Sequence, residues 1–167
     1  DGDGRPDLAA ANNGAGSLSI FRGTGGGSFA PRVDYPSGNA PWDLATDDLD
    51  GDGRADIVVA NDFGQTLSIF HGNGDATLTR LADVPAGPNP IAVTTLDANH
   101  DGHPDLAVAN AAASTASIHY GNGDGTFTTR EEYGSGIYPR ALAARDMDND
   151  GETDVVLVNY GNSDSYS

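Results

Sequence analysis

Cysteine is absent from all 167 residues, which excludes a disulfide framework and any thiolate metal site. Basic residues are scarce: eight Lys and Arg stand against 25 Asp and Glu, a formal net charge of −17 at pH 7. A chain so poor in cations has little with which to grip a phosphate backbone or an anionic bilayer, so nucleic acid is excluded as a partner. No apolar run approaches the roughly 20 residues that a membrane-spanning helix needs, and no membrane insertion is expected. Glutamate is nearly missing too, with only Glu131, Glu132 and Glu152, so the acid is almost all aspartate. No Ser, His and Asp trio stands in a recognisable motif and no G-x-S-x-G occurs, so no catalytic residue is assigned and no enzyme is expected.

What is abundant points to β structure. The 23 glycines and 9 prolines suit many short strands joined by turns and suit long helices poorly. Hydrophobic residues make up 37% and fall in regular short runs, which argues for a folded chain rather than a disordered one. The length suffices for one domain with a core of reasonable size. The chain opens on DGDGRPD, without Met or a leader and inside a motif that recurs later, so a segment of a larger protein is expected.

One unit repeats at a step of 49 residues. The step relates Asp7, Asp56, Asp105 and Asp154; Ile20, Ile69 and Ile118; Pro41, Pro90 and Pro139; and Gly38, Gly87 and Gly136. Four strand signals recur within it. PWDLATD (41–47) alternates apolar and polar, as a half-buried strand should. ADIVVAN (55–61) is a short continuous apolar run, which predicts burial on both faces. TLSIFHG (66–72) alternates again, and the polar LTRLADVPAG (78–87) suits an outer edge strand. RGTGGG (22–27) lacks the Lys-Ser/Thr of a phosphate loop and is read as a turn between strands three and four. Four antiparallel strands every 40 to 50 residues or so mark a β-propeller blade. The expected fold is therefore all-β, a β-propeller segment of about 3.4 four-stranded antiparallel blades. Residues 1–40 would carry strands two to four of one blade, 41–89 and 90–138 two whole blades, and 139–167 strands one and two of the next.

Between strands one and two stands D-x-D-x-D-G-x-x-D: DLDGDGRAD (48–56), DANHDGHPD (97–105) and DMDNDGETD (146–154), with DGDGRPD (1–7) lacking only the opening position. Oxygen donors at positions one, three, five and nine, with the position-seven carbonyl, can wrap a hard cation. Calcium fits best, because it takes six to eight oxygens in flexible geometry. Glycine at position six permits the sharp turn such a loop needs. An EF-hand is excluded: position twelve is Ala10, Val59, Val108 or Leu157 rather than a bidentate Glu. Metal-free Asp-Gly turns would explain a single copy; four copies with the acidic positions held argue against them. His100 and His103 are read as outward-facing or carbonyl donors, because no Cys or further His joins them for zinc.

These loops, followed by [LIV]-x-[VA]-A-N, then S-[IV] and G-N-G-D-G-T-F, resemble the FG-GAP/VCBS repeats of bacterial secreted and surface proteins. The blade type is also similar to the propeller of integrin α subunits and to that of a fungal calcium-bearing lectin. The resemblance implies a propeller, commonly seven-bladed, with calcium between strands one and two. It implies as ligands Asp48, Asp50, Asp52, the Arg54 carbonyl and Asp56 in one loop, and Asp97, Asn99, Asp101, the His103 carbonyl and Asp105 in the next. Asp146, Asp148, Asp150, the Glu152 carbonyl and Asp154 follow, and the first loop keeps Asp1, Asp3, the Arg5 carbonyl and Asp7. Asn99 removes one negative charge, so its loop should bind more weakly. A seven-bladed ring at this period needs about 343 residues, so the chain is expected to be part of a longer ring, with self-association through open propeller edges as the alternative.

The function implied is adhesion or protein interaction by an extracellular, secreted or cell-surface module. Carbohydrate binding and a role as accessory domain of a secreted hydrolase are the competing readings. Trp42, Tyr35, Tyr133, Tyr138, Phe21, Phe70, His119 and Tyr120 are candidate platforms for a sugar or peptide. Phe21 and Phe70 are expected to pack between blades, which leaves Trp42 and Tyr138, flanking the repeated proline, as the best exposed candidates.

Overall fold

A computed structural model describes residues 1–161; residues 162–167, the end of the expected unit 139–167, lie outside the described residues. The strands are β1 (Leu8–Asn12), β2 (Ser17–Phe21), β3 (Gly23–Gly25), β4 (Ser28–Phe29), β5 (Val33–Pro36), β6 (Pro41–Asp47), β7 (Asp56–Asn61), β8 (Thr66–Gly72), β9 (Leu78–Arg80), β10 (Val84–Pro85), β11 (Pro90–Leu96), β12 (Asp105–Asn110), β13 (Thr115–Gly121), β14 (Phe127–Gly134), β15 (Pro139–Arg145) and β16 (Asp154–Asn159). They build antiparallel sheets in the orders β1-β2-β5, β6-β7-β8-β10 with β9 also on β8, β11-β12-β13-β14, and β15-β16. The register repeats with the sequence, pairing Leu8 with Phe21, Ile57 with Phe70 and Leu106 with His119. First strands of successive repeats pack on one another, β6 on β11 and β11 on β15.

The continuous apolar run becomes a strand covered on both sides, because successive side chains of a strand point to opposite faces. Ile57 and Val59 of β7 join Leu18, Ile20 and Phe70 in one cluster. Val58 and Ala60 face the other way, into a cluster with Leu49, Leu67, Leu106 and Val108. Each fully buried Val, Leu or Ile of this kind contributes roughly 1.5–3 kcal/mol, so the sheet-to-sheet seams carry most of the apolar stabilisation.

Three seams are keyed by glycine, one of them by Gly136, where a Cβ would lie 2.7 Å from the Asn159 side chain. A Cβ on Gly38 would lie 2.4 Å from the Asn61 side chain, and one on Gly87 2.4 Å from that of Asn110. The Asn61 amide donates to Ser68 Oγ (3.0 Å), and its Oδ1 accepts from Gly38 N–H (3.0 Å) and Ser37 Oγ (2.9 Å) of the preceding unit. Asn61, at the end of its second strand, therefore satisfies its own sheet and locks it to the loop before, whereas Oδ1 of the equivalent Asn110 is buried without a donor among the described residues.

Strand four departs from the sequence reading. Where 78–87 was expected as one strand, β9 and β10 flank Leu81–Asp83; Leu81 N–H still donates to the Ile69 carbonyl (2.9 Å), and the break falls at Ala82 and Asp83. Asp83 is held instead by Arg80 (2.7 Å) and by Ser68 Oγ (3.0 Å), and Pro85 has no N–H to offer. The equivalent β14 has no proline and runs unbroken. Residues 22–27 also differ from a plain turn, since β3 and β4 pair there as a small hairpin.

Candidate metal centres

The aspartate loops join β6 to β7, β11 to β12 and β15 to β16, with the first loop leading into β1. Two left-handed positions shape them. Position six is Gly4, Gly53, Gly102 or Gly151, with φ between 80° and 93°. Position four is left-handed as well: Gly2 and Gly51, then His100 at φ 59° and Asn149 at φ 63°. Only position six was legible as a requirement, because glycine holds it in all four copies.

Position-one carboxylates template the loop from inside. Asp48 Oδ1 accepts from the N–H groups of Gly51 (2.9 Å) and Asp52 (3.0 Å), and its Oδ2 from Gly53 (2.8 Å). Asp146 does the same toward Asn149 (2.7 Å) and Gly151 (3.1 Å), and Asp97 Oδ2 toward Gly102 (3.1 Å). Position-three groups accept one residue pair on: Asp1 from Asp3 N–H (3.1 Å), Asp50 from Asp52 (3.2 Å), Asn99 from Asp101 (3.0 Å) and Asp148 from Asp150 (3.2 Å).

Position nine straps three elements together. Oδ1 of Asp7, Asp56 and Asp105 accepts from Gly23 (2.7 Å), Gly72 (2.8 Å) and Gly121 (2.8 Å), at or just after the end of strand three. Oδ2 of Asp56, Asp105 and Asp154 accepts from the loop N–H of Leu49 (3.0 Å), Ala98 (2.8 Å) and Met147 (3.0 Å). A Cβ at Gly72 would stand 2.1 Å from the Ala55 carbonyl oxygen, so only glycine lets the strand approach. Asp56 and Asp105 are buried, and burial raises the Asp56 carboxyl above its ordinary value despite the opposing N–H donors.

Positions five and seven act as a pair. The Arg5 and Arg54 guanidinium groups sit on Asp3 and Asp52 and hold those carboxyls below their usual range. Asp101 is lowered by the His103 N–H (2.8 Å) and the Asn99 amide (2.9 Å). Asp150 accepts from Glu152 N–H (2.8 Å). The side chains of Arg54 and His103 lie over Gly74 and Gly123 of the strand three to four turn. His100 pairs with Glu152, bridging two neighbouring loops.

Carboxylate oxygens of Asp48, Asp50 and Asp52 come within 4.8 Å of one another, as do those of Asp146, Asp148 and Asp154. In the loop between them Asp97 Oδ1 is buried with no hydrogen-bond donor among the described residues. An all-oxygen set with an orphaned buried carboxylate oxygen fits a hard divalent cation such as calcium, whose charge would offset the mutual repulsion of the acids. One residue at these loops was missed in the sequence: His71, at the end of β8, has Nδ1 2.9 Å from Asp50 Oδ2 and 3.3 Å from Asp56 Oδ1. No motif announces it, since the 49-residue step aligns it with Arg22 and Tyr120.

The profile of the FG-GAP-like repeat matches residues 1–59, 48–108 and 97–157. The chain belongs to the FG-GAP-like repeat family. Successive FG-GAP-like matches overlap across 48–59 and 97–108, so each overlap contains an aspartate loop and its buried second strand. FG-GAP-like repeats are generally non-catalytic interaction modules, often calcium-binding and typically extracellular. No curated protein matches the chain.

The aromatic candidates separate by burial. Phe70 and His119 are buried in the sheet seams, and Tyr35 stacks edge-on against Phe70 with ring centroids 6.3 Å apart. Tyr133 is exposed and donates to Glu131 (2.8 Å), which raises its hydroxyl to about 12. Trp42 is 51% exposed and Tyr138 50%. Trp42, Ile91 and Arg140 are the residues skipped at the bulges that follow the repeated prolines, and they line a shallow cleft of about 240 Å³.

Proposed function

We propose that this chain is a calcium-stabilised, non-catalytic segment of an extracellular β-propeller that serves adhesion or protein interaction. The observation that carries the reading is the repeated gathering of aspartate carboxylates in the strand one to two loops, with Asp97 Oδ1 left without a donor. The residues that would hold calcium are those of the loops at 48–56, 97–105 and 146–154, with the incomplete set at 1–7. Their backbone donors already orient the carboxylates, so the ion's contribution is charge neutralisation and closure of the turn, and its binding free energy adds to folding. Extracellular calcium modules commonly bind at about 10⁻⁴ to 10⁻³ M, which suits a structural site in calcium-rich surroundings. Calorimetric melts test the reading. EDTA should lower Tm and millimolar Ca²⁺ should restore it further than Mg²⁺; a melt indifferent to all three removes calcium from the account.

A lectin-like reading is favoured by one observation, the exposed Trp42 beside the cleft it shares with Ile91 and Arg140. An amphipathic ring with a cation beside it suits a sugar face and its hydroxyls. Binding on a glycan array that Trp42→Ala abolishes would support this reading; retention of that binding by the variant would sink it.

A further inference from the structure

We propose that the loop at 48–56 is a mixed nitrogen–oxygen site for a first-row transition cation such as Zn²⁺, with His71, Asp50 and Asp56 as its protein ligands. The inference rests on the metal-loop reading above and replaces calcium in this one loop by another ion class, because a ring nitrogen joins the carboxylates here whereas the set of Asp146, Asp148 and Asp154 offers oxygen alone. His71 is the last residue but one of β8, and the strand brings its ring against Asp50, Asp52 and Asp56 of the loop. Its Nδ1 stands 2.9 Å from Asp50 Oδ2 and 3.3 Å from Asp56 Oδ1, and all three donor atoms lie within 4.8 Å of one another.

These are the distances of hydrogen-bonded ion pairs, and since donors about 2.0–2.1 Å from a tetrahedral zinc lie roughly 3.3 Å apart, only small shifts would bring the three groups onto one ion. A single Nδ1–H can serve one carboxylate well, whereas an ion accepts both at once. Asp52 and Asp48 are engaged within the loop, although His71 Nε2 also lies 3.5 Å from Asp52 Oδ2. Arg54 occupies Asp52 Oδ2 (2.8 Å), and Asp48 is spent on the N–H groups of Gly51, Asp52 and Gly53. Asp56 is fixed by Leu49 and Gly72 N–H, the outer hydrogen bonding that metal-ligating carboxylates usually carry. Its carboxylate is buried, so the site is partly dry and its electrostatics correspondingly strong. Imidazole nitrogen shifts preference from calcium toward zinc, copper, nickel and cobalt. Sibling repeats supply the contrast, since Arg22 and Tyr120 stand at the same register and neither is a metal ligand of this kind.

The test uses the whole chain, titrated with Co²⁺ followed by its visible absorption, with Zn²⁺ in competition, and separately with Ca²⁺ by calorimetry. His71→Tyr, which installs the residue of the next repeat, should weaken Co²⁺ and Zn²⁺ by at least about ten-fold and leave the Ca²⁺ stabilisation of the other loops in place. Zn²⁺ should also shift the His71 ring nitrogens in ¹⁵N spectra of the unmutated chain, a readout that needs no variant to fold. Co²⁺ affinity unchanged by the substitution, together with unshifted ring nitrogens, overturns the proposal and leaves the calcium reading standing. Histidine-dependent Co²⁺ binding in a chain whose melt ignores Ca²⁺ supports the proposal and overturns the calcium reading instead.

Discussion

At the scale of the single residue, the repeats are informative where they disagree. The third strand carries Phe21, then Phe70, then His119 at one register, and the last is as buried as the Phe it replaces. Burial, with Arg130 nearby, pulls the His119 ring down to about 4, far below the ordinary value near 6.5. Ring Nε2 lies 3.3 Å from Ser117 Oγ. The sign follows from the direction of the shift. Above pH 6.5 the ring is neutral in both folded and unfolded chains and takes nothing from stability. As pH falls from 6.5 toward 4 the unfolded chain binds a proton that the folded chain refuses, so stability is lost across that window. The loss totals on the order of 3 kcal/mol. Tm measured from pH 7 to pH 5, above the range where most carboxylates titrate, should fall in the parent chain and fall less steeply in His119→Phe. Equal slopes would show that the buried imidazole is not the cause.

At the scale of the element, a loop of aspartates turns out to contain two kinds of acid. Those at positions one, three and five are half-buried or exposed, while Asp105 at position nine is fully buried and holds Ala98 and Gly121 N–H together. Asp105→Ala should therefore cost about 2–4 kcal/mol in urea unfolding even with EDTA present, because two backbone donors lose their acceptor. Asp101→Asn should cost little in EDTA and remove part of the calcium-dependent gain. If both variants lose stability only when calcium is added, the strap has been assigned wrongly. This division was half legible. The sequence pattern placed all the acids, and the first and third strands at 41–47 and 66–72 coincide with β6 and β8, because period-two alternation and a gapless repeat constrain them doubly. It could not distinguish strap from ligand, since that depends on Gly23, Gly72 and Gly121 arriving from 16 residues away. His71 was hidden for the same reason, and strand four was misjudged because the Arg80–Asp83–Ser68 contacts that break it are tertiary. The periodic Gly38 and Gly87 were visible as a repeat, but their reason lies in the Asn side chains of the following sheet.

At the scale of the whole molecule, equivalent positions live in different surroundings. Val58 and Ala107 are fully buried, whereas Val156, one step further along, is 41% exposed; Ala60 and Ala109 are buried, whereas Val158 is 60% exposed. In the inner repeats this face is covered by the sheet that follows, as Val58 and Ala60 are covered by Leu106 and Val108. The face on β16 thus has the side-chain chemistry of an internal seam, with no sheet upon it among the described residues. An opposing term acts over the whole chain, since a net charge of −17 makes two copies repel at low ionic strength. The balance predicts a salt-dependent association. Sedimentation velocity should show concentration-dependent association that strengthens as NaCl rises and the repulsion is screened. Val158→Asp, which places a charge in the middle of the apolar face, should weaken it at every salt concentration. Lasting monomers in high salt would mean that the exposed valines do not act as a seam between copies. Association insensitive to Val158→Asp would move the contact to another edge, for which the free strand β14, lined by Arg130, Glu131 and Glu132, is poorly suited by its charge.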